Sequence, residues 1–149
     1  LDEVPDPEIP VLSINDLGIV RAVDVGGDEV VVTVTPTYSG CPATAVISLS
    51  IEEALRRRGV TRARVKSQLS PAWTTDWISP AGREKLRAYG IVPPEGAACA
   101  GAAVRNAPQA CPRCGSAHVE EVSRFGSTPC KASWRCADCL EPFDYFKRF

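Results

Sequence analysis

Along Glu29 to Thr35, Val30, Val32 and Val34 alternate with Thr33 and Thr35, the period of a half-buried strand. A second β-branched run, Ile19 to Val25, precedes it, and Gly26-Gly27 between the two predicts a hairpin. From Ala43 the period lengthens to a helical one. Ile47, Ile51, Ala54 and Leu55 form one apolar stripe, while Glu52, Glu53, Arg56 and Arg57 fall off it. Gly59 stands where a left-handed cap would close that helix. Ala63, Val65 and Leu69 then face one way and Arg62, Arg64 and Lys66 the other, which predicts a further strand. Ser79-Pro80 supplies an N-cap and a first-turn proline for a short helix ending at Gly90. Asp6-Pro7 predicts another short helix, through Ser13. Helices over a three- or four-stranded sheet make a small α+β domain.

That regular patterning ends near Pro94, and Pro93 to Ala110 has the small-residue composition of a linker. Beyond it the chain reads Cys111-Pro-Arg-Cys114 and Cys136-Ala-Asp-Cys139, a C-x2-C-x21-C-x2-C pattern. Two residues between cysteines let one tight turn aim both sulfurs at a single ion, and two such turns close a tetrahedron of thiolates. A structural Zn²⁺ suits this soft shell, with no position left open for chemistry. A disulfide framework and a four-cysteine iron–sulfur site are the competing readings. Val119 to Val122, Ala132 to Arg135 and Phe143 to Phe146 are the predicted ribbon strands, with Phe125, Trp134, Phe143, Tyr145 and Phe146 as a miniature core. So short a segment needs a metal as its staple. The expected fold class is therefore α+β, a small helix-covered mixed sheet domain followed by a four-cysteine zinc-ribbon domain. Its boundaries are 1–94 for the first domain, 95–110 for the linker and 111–149 for the ribbon.

Composition narrows the function classes. The chain of 149 residues is 44% hydrophobic and 23% charged, as ordinary globular proteins are. A net charge of -1 gives no global field toward nucleic acid or anionic membrane. Within 111–149, six positive side chains face five negative ones, a poor footprint for a phosphate backbone. Neither a membrane span nor a signal sequence is expected. Seven cysteines without such a signal point to a reducing cytoplasm and to metal or reactive thiol chemistry.

Outside the quartet, Cys41 is the sharpest candidate. It lies in Thr35-Pro36-Thr37-Tyr38-Ser39-Gly40-Cys41-Pro42, between a strand and a helix. With Pro42 at the first helical position, Cys41 is the expected N-cap, its thiolate favoured by free amides and the helix dipole. Metal capture or sulfur exchange is one reading, and a small buried hydrophobe is the other. Asp6-Pro7-Glu8 sets two carboxylates in one rigid turn, either a helix cap or, if folded near Cys41, a pair of metal ligands. Cys99 falls in the linker. Cys130 either replaces a quartet member or sits reduced beside it, and His118 is expected at the surface. Trp73 and Trp77 are read by default as buried loop anchors, with an exposed docking surface as the alternative. Neither the paired Glu-x-x-His motifs of a di-iron site nor a glycine-rich dinucleotide turn occurs, and the sole histidine lies far from Cys41 in sequence. No catalytic residue is assigned.

With these residues in view, the chain resembles the PaaD-type accessory proteins of bacterial phenylacetyl-CoA epoxidase (ring-1,2-epoxidase). The likeness is carried by Asp6-Pro7-Glu8-Ile9-Pro10, Asp16-Leu17-Gly18, the Thr35 to Pro42 segment, Pro71 to Trp77 and Gly90 to Pro94. In the ribbon it is carried by Cys111 to Cys114, Phe125 to Lys131 and Pro142 to Lys147. The first half is similar to SufT-type iron–sulfur assembly factors. The resemblance implies metallocluster maturation, with the cofactor-binding roles falling on Cys41, Asp6 and Glu8. It implies iron or an iron–sulfur cluster as transient cargo beside the structural Zn²⁺ of Cys111, Cys114, Cys136 and Cys139. The implied partners are other subunits of the epoxidase system, its iron–sulfur reductase or its oxygenase, with self-association compatible. A non-catalytic structural subunit is the alternative. Where relatives carry a further cysteine after the final Phe-Lys, this chain has Arg148.

Overall fold

The structure, a computed structural model, describes residues 1–95 and 106–149. Most of the expected linker, with Cys99, lies outside the described residues. The chain divides into two compact units, Leu1–Gly82 and Arg83–Phe149.

In the first unit β1 (Val20–Gly26) and β2 (Glu29–Val34) form the predicted hairpin, with Gly27 at φ 56° in its turn. Helix α1 (Thr44–Arg57) then crosses to β3 (Arg62–Ser67), which pairs parallel to β2, so the sheet order is β1-β2-β3. Ile47, Ile51 and Ala54 of α1 are buried, as the helical stripe requires. The helix closes as a Schellman motif. Gly59 at φ 86° donates its N–H to the Arg56 carbonyl at 2.9 Å, and Val60 donates to Leu55 at 3.0 Å. Strand β3 stops at Ser67, so Leu69 lies beyond its alternation and is 59% exposed.

The expected helix from Asp6 does not form. Asp6 Oδ1 accepts the N–H groups of Glu8 (2.9 Å) and Ile9 (2.7 Å), as an N-cap would. The residue that should make the first intrahelical bond to the Asp6 carbonyl is Pro10, which has no N–H to give. Instead the chain folds back, with Asp6 N–H on Leu12 and Ile14 N–H on Val4. This closed loop buries Val4, Ile9, Leu12, Ile14, Leu17 and Ile19 as part of the core.

Asp16 ties that loop to the segment after β3. Its carboxylate accepts from the Ser13 N–H (2.9 Å) and hydroxyl (3.0 Å), and its carbonyl accepts from Ser79 N–H at 2.8 Å. The indole N–H of buried Trp73 donates to the Leu17 carbonyl at 2.9 Å, whereas half-buried Trp77 carries Arg21 stacked 3.5 Å from its ring centre. Gly18 shows why that approach is possible: at φ 67°, a Cβ there would sit 2.4 Å from the Trp77 carbonyl oxygen.

Helix α2 (Pro80–Ala88) starts as expected, with Ser79 Oγ accepting Gly82 N–H at 2.9 Å. In the second unit a four-stranded sheet runs β4-β7-β6-β5, from β4 (Ile91–Val92), β7 (Pro142–Phe146), β6 (Lys131–Cys136) and β5 (Val119–Ser123). Its core is Cys111, Ala132, Trp134, Cys136, Phe143 and Tyr145, with Val92 and Val119 packed against it. Phe125 is not in that core. A register shift between Glu121 and Ser123 breaks the alternation of β5, and Phe125 emerges 65% exposed under the Lys147 ammonium. No helix among the described residues is long and apolar enough to cross a membrane.

Candidate functional site

Two sulfur sites are distinguishable, one in each unit. In the ribbon the ligand atoms of Cys111, Cys114, Cys136 and Cys139 all lie within 4.8 Å of one another. Cys111 Sγ is 3.7 Å from Cys139 Sγ, and Cys114 Sγ is 3.6 Å from Cys136 Sγ. Four sulfurs about 2.3 Å from a central ion define a tetrahedron with edges of about 3.8 Å. The spacing fits an ion and is far from the ~2 Å of a disulfide. The four quartet cysteines form no disulfide.

Local geometry explains how the sulfurs converge. Each cysteine turn is followed by a left-handed residue, Gly115 at φ 75° and Leu140 at φ 63°. Within the turns, Arg113 N–H points to Cys111 Sγ and Cys139 N–H to Cys136 Sγ. Without an ion the thiols ionise unequally. The Cys139 amide draws Cys136 down to about 7. Cys114, although helped by the Ser116 amide, is pushed up to about 12 by Cys139 and Cys136. Capture of an ion must therefore displace protons.

Two expectations about neighbours of the quartet are corrected or refined here. Cys130 does not sit beside it. Buried Cys130 precedes β6 while Cys136 ends it, and six extended residues span about 20 Å. His118 is exposed as expected and contributes no ligand, but contacts the Asp138 carboxylate at 3.2 Å. The Ser116 hydroxyl and His118 hold Asp138 below its usual carboxylate value. Lys131, buried and paired with Asp144 at 3.4 Å, lies one residue before the predicted strand, and its burial carried no signal in the sequence.

The second site is in the first unit. Cys41 and Asp6, far apart in sequence, line one small cavity with Ile19, Val34, Pro36, Thr37, Thr44 and Ile47. Its volume is about 10 Å³, the room of one water molecule. Cys41 is half-buried, Asp6 buried and Glu8 half-buried. Cys41 is not the helix cap: that position is Ala43, and Cys41 instead offers its carbonyl to the Thr44 hydroxyl at 2.9 Å. Nor is its thiolate favoured. Burial pushes the Cys41 thiol up, the Ala43 amide offsets this in part, and the charges of Glu8 and Asp6 raise it further. The same carboxylates that oppose a bare thiolate would attract a cation beside it. A larger cavity of about 640 Å³ in the second unit, lined by Val119, Trp134, Tyr145 and Arg148 among others, contains none of the predicted ligands.

These features define a class: an iron–sulfur-assembly type of domain joined to a cysteine ribbon. Residues 1–66 match the family described as "Iron-sulfur cluster assembly protein", and residues 97–147 match "PaaD zinc beta ribbon domain". A crystal structure described as a domain of unknown function DUF59 from Bacillus anthracis is similar with a TM-score of 0.54 and 28% identity, covering 58% of this chain and 83% of that one. The chain is also 54% identical over 148 residues to an Escherichia coli (strain K12) protein named as the putative D component of 1,2-phenylacetyl-CoA epoxidase, covering 99% of this chain and 88% of the relative. The chain belongs to that family, the PaaD-type components of the epoxidase.

Proposed function

We propose that this protein is a non-catalytic accessory component of a phenylacetyl-CoA epoxidase system, acting in aerobic phenylacetate breakdown in the cytoplasm. In this reading it assists maturation of a metallocofactor in a partner protein, either the iron–sulfur reductase or the di-iron oxygenase. Cys41 is the transfer thiol, and Asp6 and Glu8 are auxiliary ligands or charge partners for an iron ion or cluster as cargo. The single observation that supports it is the shared cavity of Cys41 and Asp6 in a domain of the assembly type. In the ribbon, Cys111, Cys114, Cys136 and Cys139 hold a structural Zn²⁺, which supplies folding free energy and no reaction.

Coexpression tests the reading. Reductase and oxygenase produced with the wild-type chain should carry full iron and activity, and those produced with Cys41→Ser should be deficient in both. Full iron and activity in the absence of this protein would overturn it. The small size of the crevice favours a second reading, a purely structural subunit with Cys41 packed as a hydrophobe. On that reading Cys41→Ser leaves epoxidation untouched while deletion of the chain abolishes it.

A further inference from the structure

The two cysteine turns are tied to each other by side chains in a reciprocal pattern. Arg113 immediately precedes Cys114, and its guanidinium donates to Glu141, two residues after Cys139, at 2.6 Å. Asp138 immediately precedes Cys139, and it accepts from the hydroxyl of Ser116, two residues after Cys114. Each turn thus offers its residue before the second cysteine to the residue two beyond the second cysteine of the other. The His118 ring adds a contact to Asp138 at 3.2 Å, and Ala137 N–H donates to the His118 carbonyl at 2.8 Å.

Position gives the pattern its meaning. Of the four ligands, Cys111 and Cys136 are buried whereas Cys114 and Cys139 are exposed. An ion leaves a closed tetrahedral site only when a thiolate swings off, and the two exposed sulfurs are the ones with room to do so. Both cross-ties flank that exposed pair. Swinging Cys139 away means moving Asp138 off Ser116 and His118, and swinging Cys114 away means moving Arg113 off Glu141.

We propose that Arg113–Glu141 and Ser116–Asp138–His118 form a two-sided clasp that controls how fast the ribbon releases its metal. These are positioning residues: they act on the thiolates' freedom to move and touch no ion. The clasp rests on the reading of the quartet as a metal site and specifies which residues outside it govern exchange. Each tie is solvent-exposed, so its effect is modest, about threefold in rate for one pair, and larger for Asp138, which holds two partners.

The test is Zn²⁺ release from the full chain to an excess of a colorimetric chelator at neutral pH, with the Co²⁺-substituted absorption spectrum as a check on ligand geometry. Glu141→Arg and Arg113→Glu should each speed release by about threefold, and the double exchange, which restores an opposite-charge pair, should return the rate toward wild type. Asp138→Ala should speed release by about fivefold, with the tetrahedral Co²⁺ spectrum unchanged, and Glu120→Gln, which loses an exposed pair with Arg135 outside the turns, should leave the rate alone. Rates in Asp138→Ala and the charge exchanges equal to wild type would overturn the clasp, as would a double exchange no slower than either single change. Should a charge exchange fold poorly, Arg113→Gln and Glu141→Gln, which break the tie without adding a like charge, decide the matter: faster release supports the clasp and wild-type rates overturn it. A wild-type chain that holds no metal removes the quartet reading itself, a different failure from equal release rates.

Discussion

At the scale of single residues, the informative group is Cys41. Burial, Glu8 and Asp6 all hold its proton on, so the thiolate fraction stays low until pH climbs past the ordinary thiol value of 9.0. Glu8→Gln removes one opposing charge and leaves the fold's hydrogen bonds to Asp6 in place. Alkylation of Cys41 should then begin at lower pH than in the wild type, measured as the pH midpoint of iodoacetamide labelling by mass spectrometry. A midpoint that stays put or rises would place the Glu8 carboxylate out of range of the sulfur. The candidate residues were legible in sequence, but their environment was not. A proline after a cysteine suggested a cap, yet the turn at Pro42-Ala43 moves the start of α1 to Thr44, and burial outweighs the help that Cys41 still draws from the Ala43 amide. The nearness of Asp6 to Cys41 is a tertiary fact that no local pattern carries.

Among the elements, two left-handed residues behave oppositely. Leu140 spends backbone strain at φ 63° with its side chain 66% exposed, so a glycine there loses little packing. Leu140→Gly should raise the unfolding free energy of the metal-loaded ribbon by up to about 1 kcal/mol. Gly18→Ala should do the reverse, costing about 2 kcal/mol or more, because the added Cβ meets the backbone of Trp77. Denaturant titrations of the two variants check both signs. Elements with local signals appeared where the sequence put them: the hairpin at Gly26-Gly27, the Gly59 cap and the Ser79-Pro80 helix start. Those needing longer-range information did not. The Asp6 segment has a cap without a helix because Pro10 withholds the first bond, and Phe125 leaves the ribbon core because β5 carries an irregularity that alternation cannot reveal.

Across the whole molecule, the quartet and the Cys41 crevice belong to different units. Chelation at neutral pH should therefore release protection from hydrogen exchange in β5, β6 and β7 while residues of β1, β2 and α1 keep theirs, as followed by mass spectrometry. Uniform loss across the chain would show that the ribbon metal sustains both cores. On the proposed function the two sites divide the work: one set of sulfurs holds shape and Cys41 handles cargo. Metal analysis of anaerobically purified wild type and Cys41→Ser, before and after incubation with ferrous iron and sulfide, decides whether that division holds. About one tightly held zinc per chain is expected in both proteins, with added iron retained by the wild type alone. Equal iron in both proteins, or zinc lost from Cys41→Ser, would contradict it.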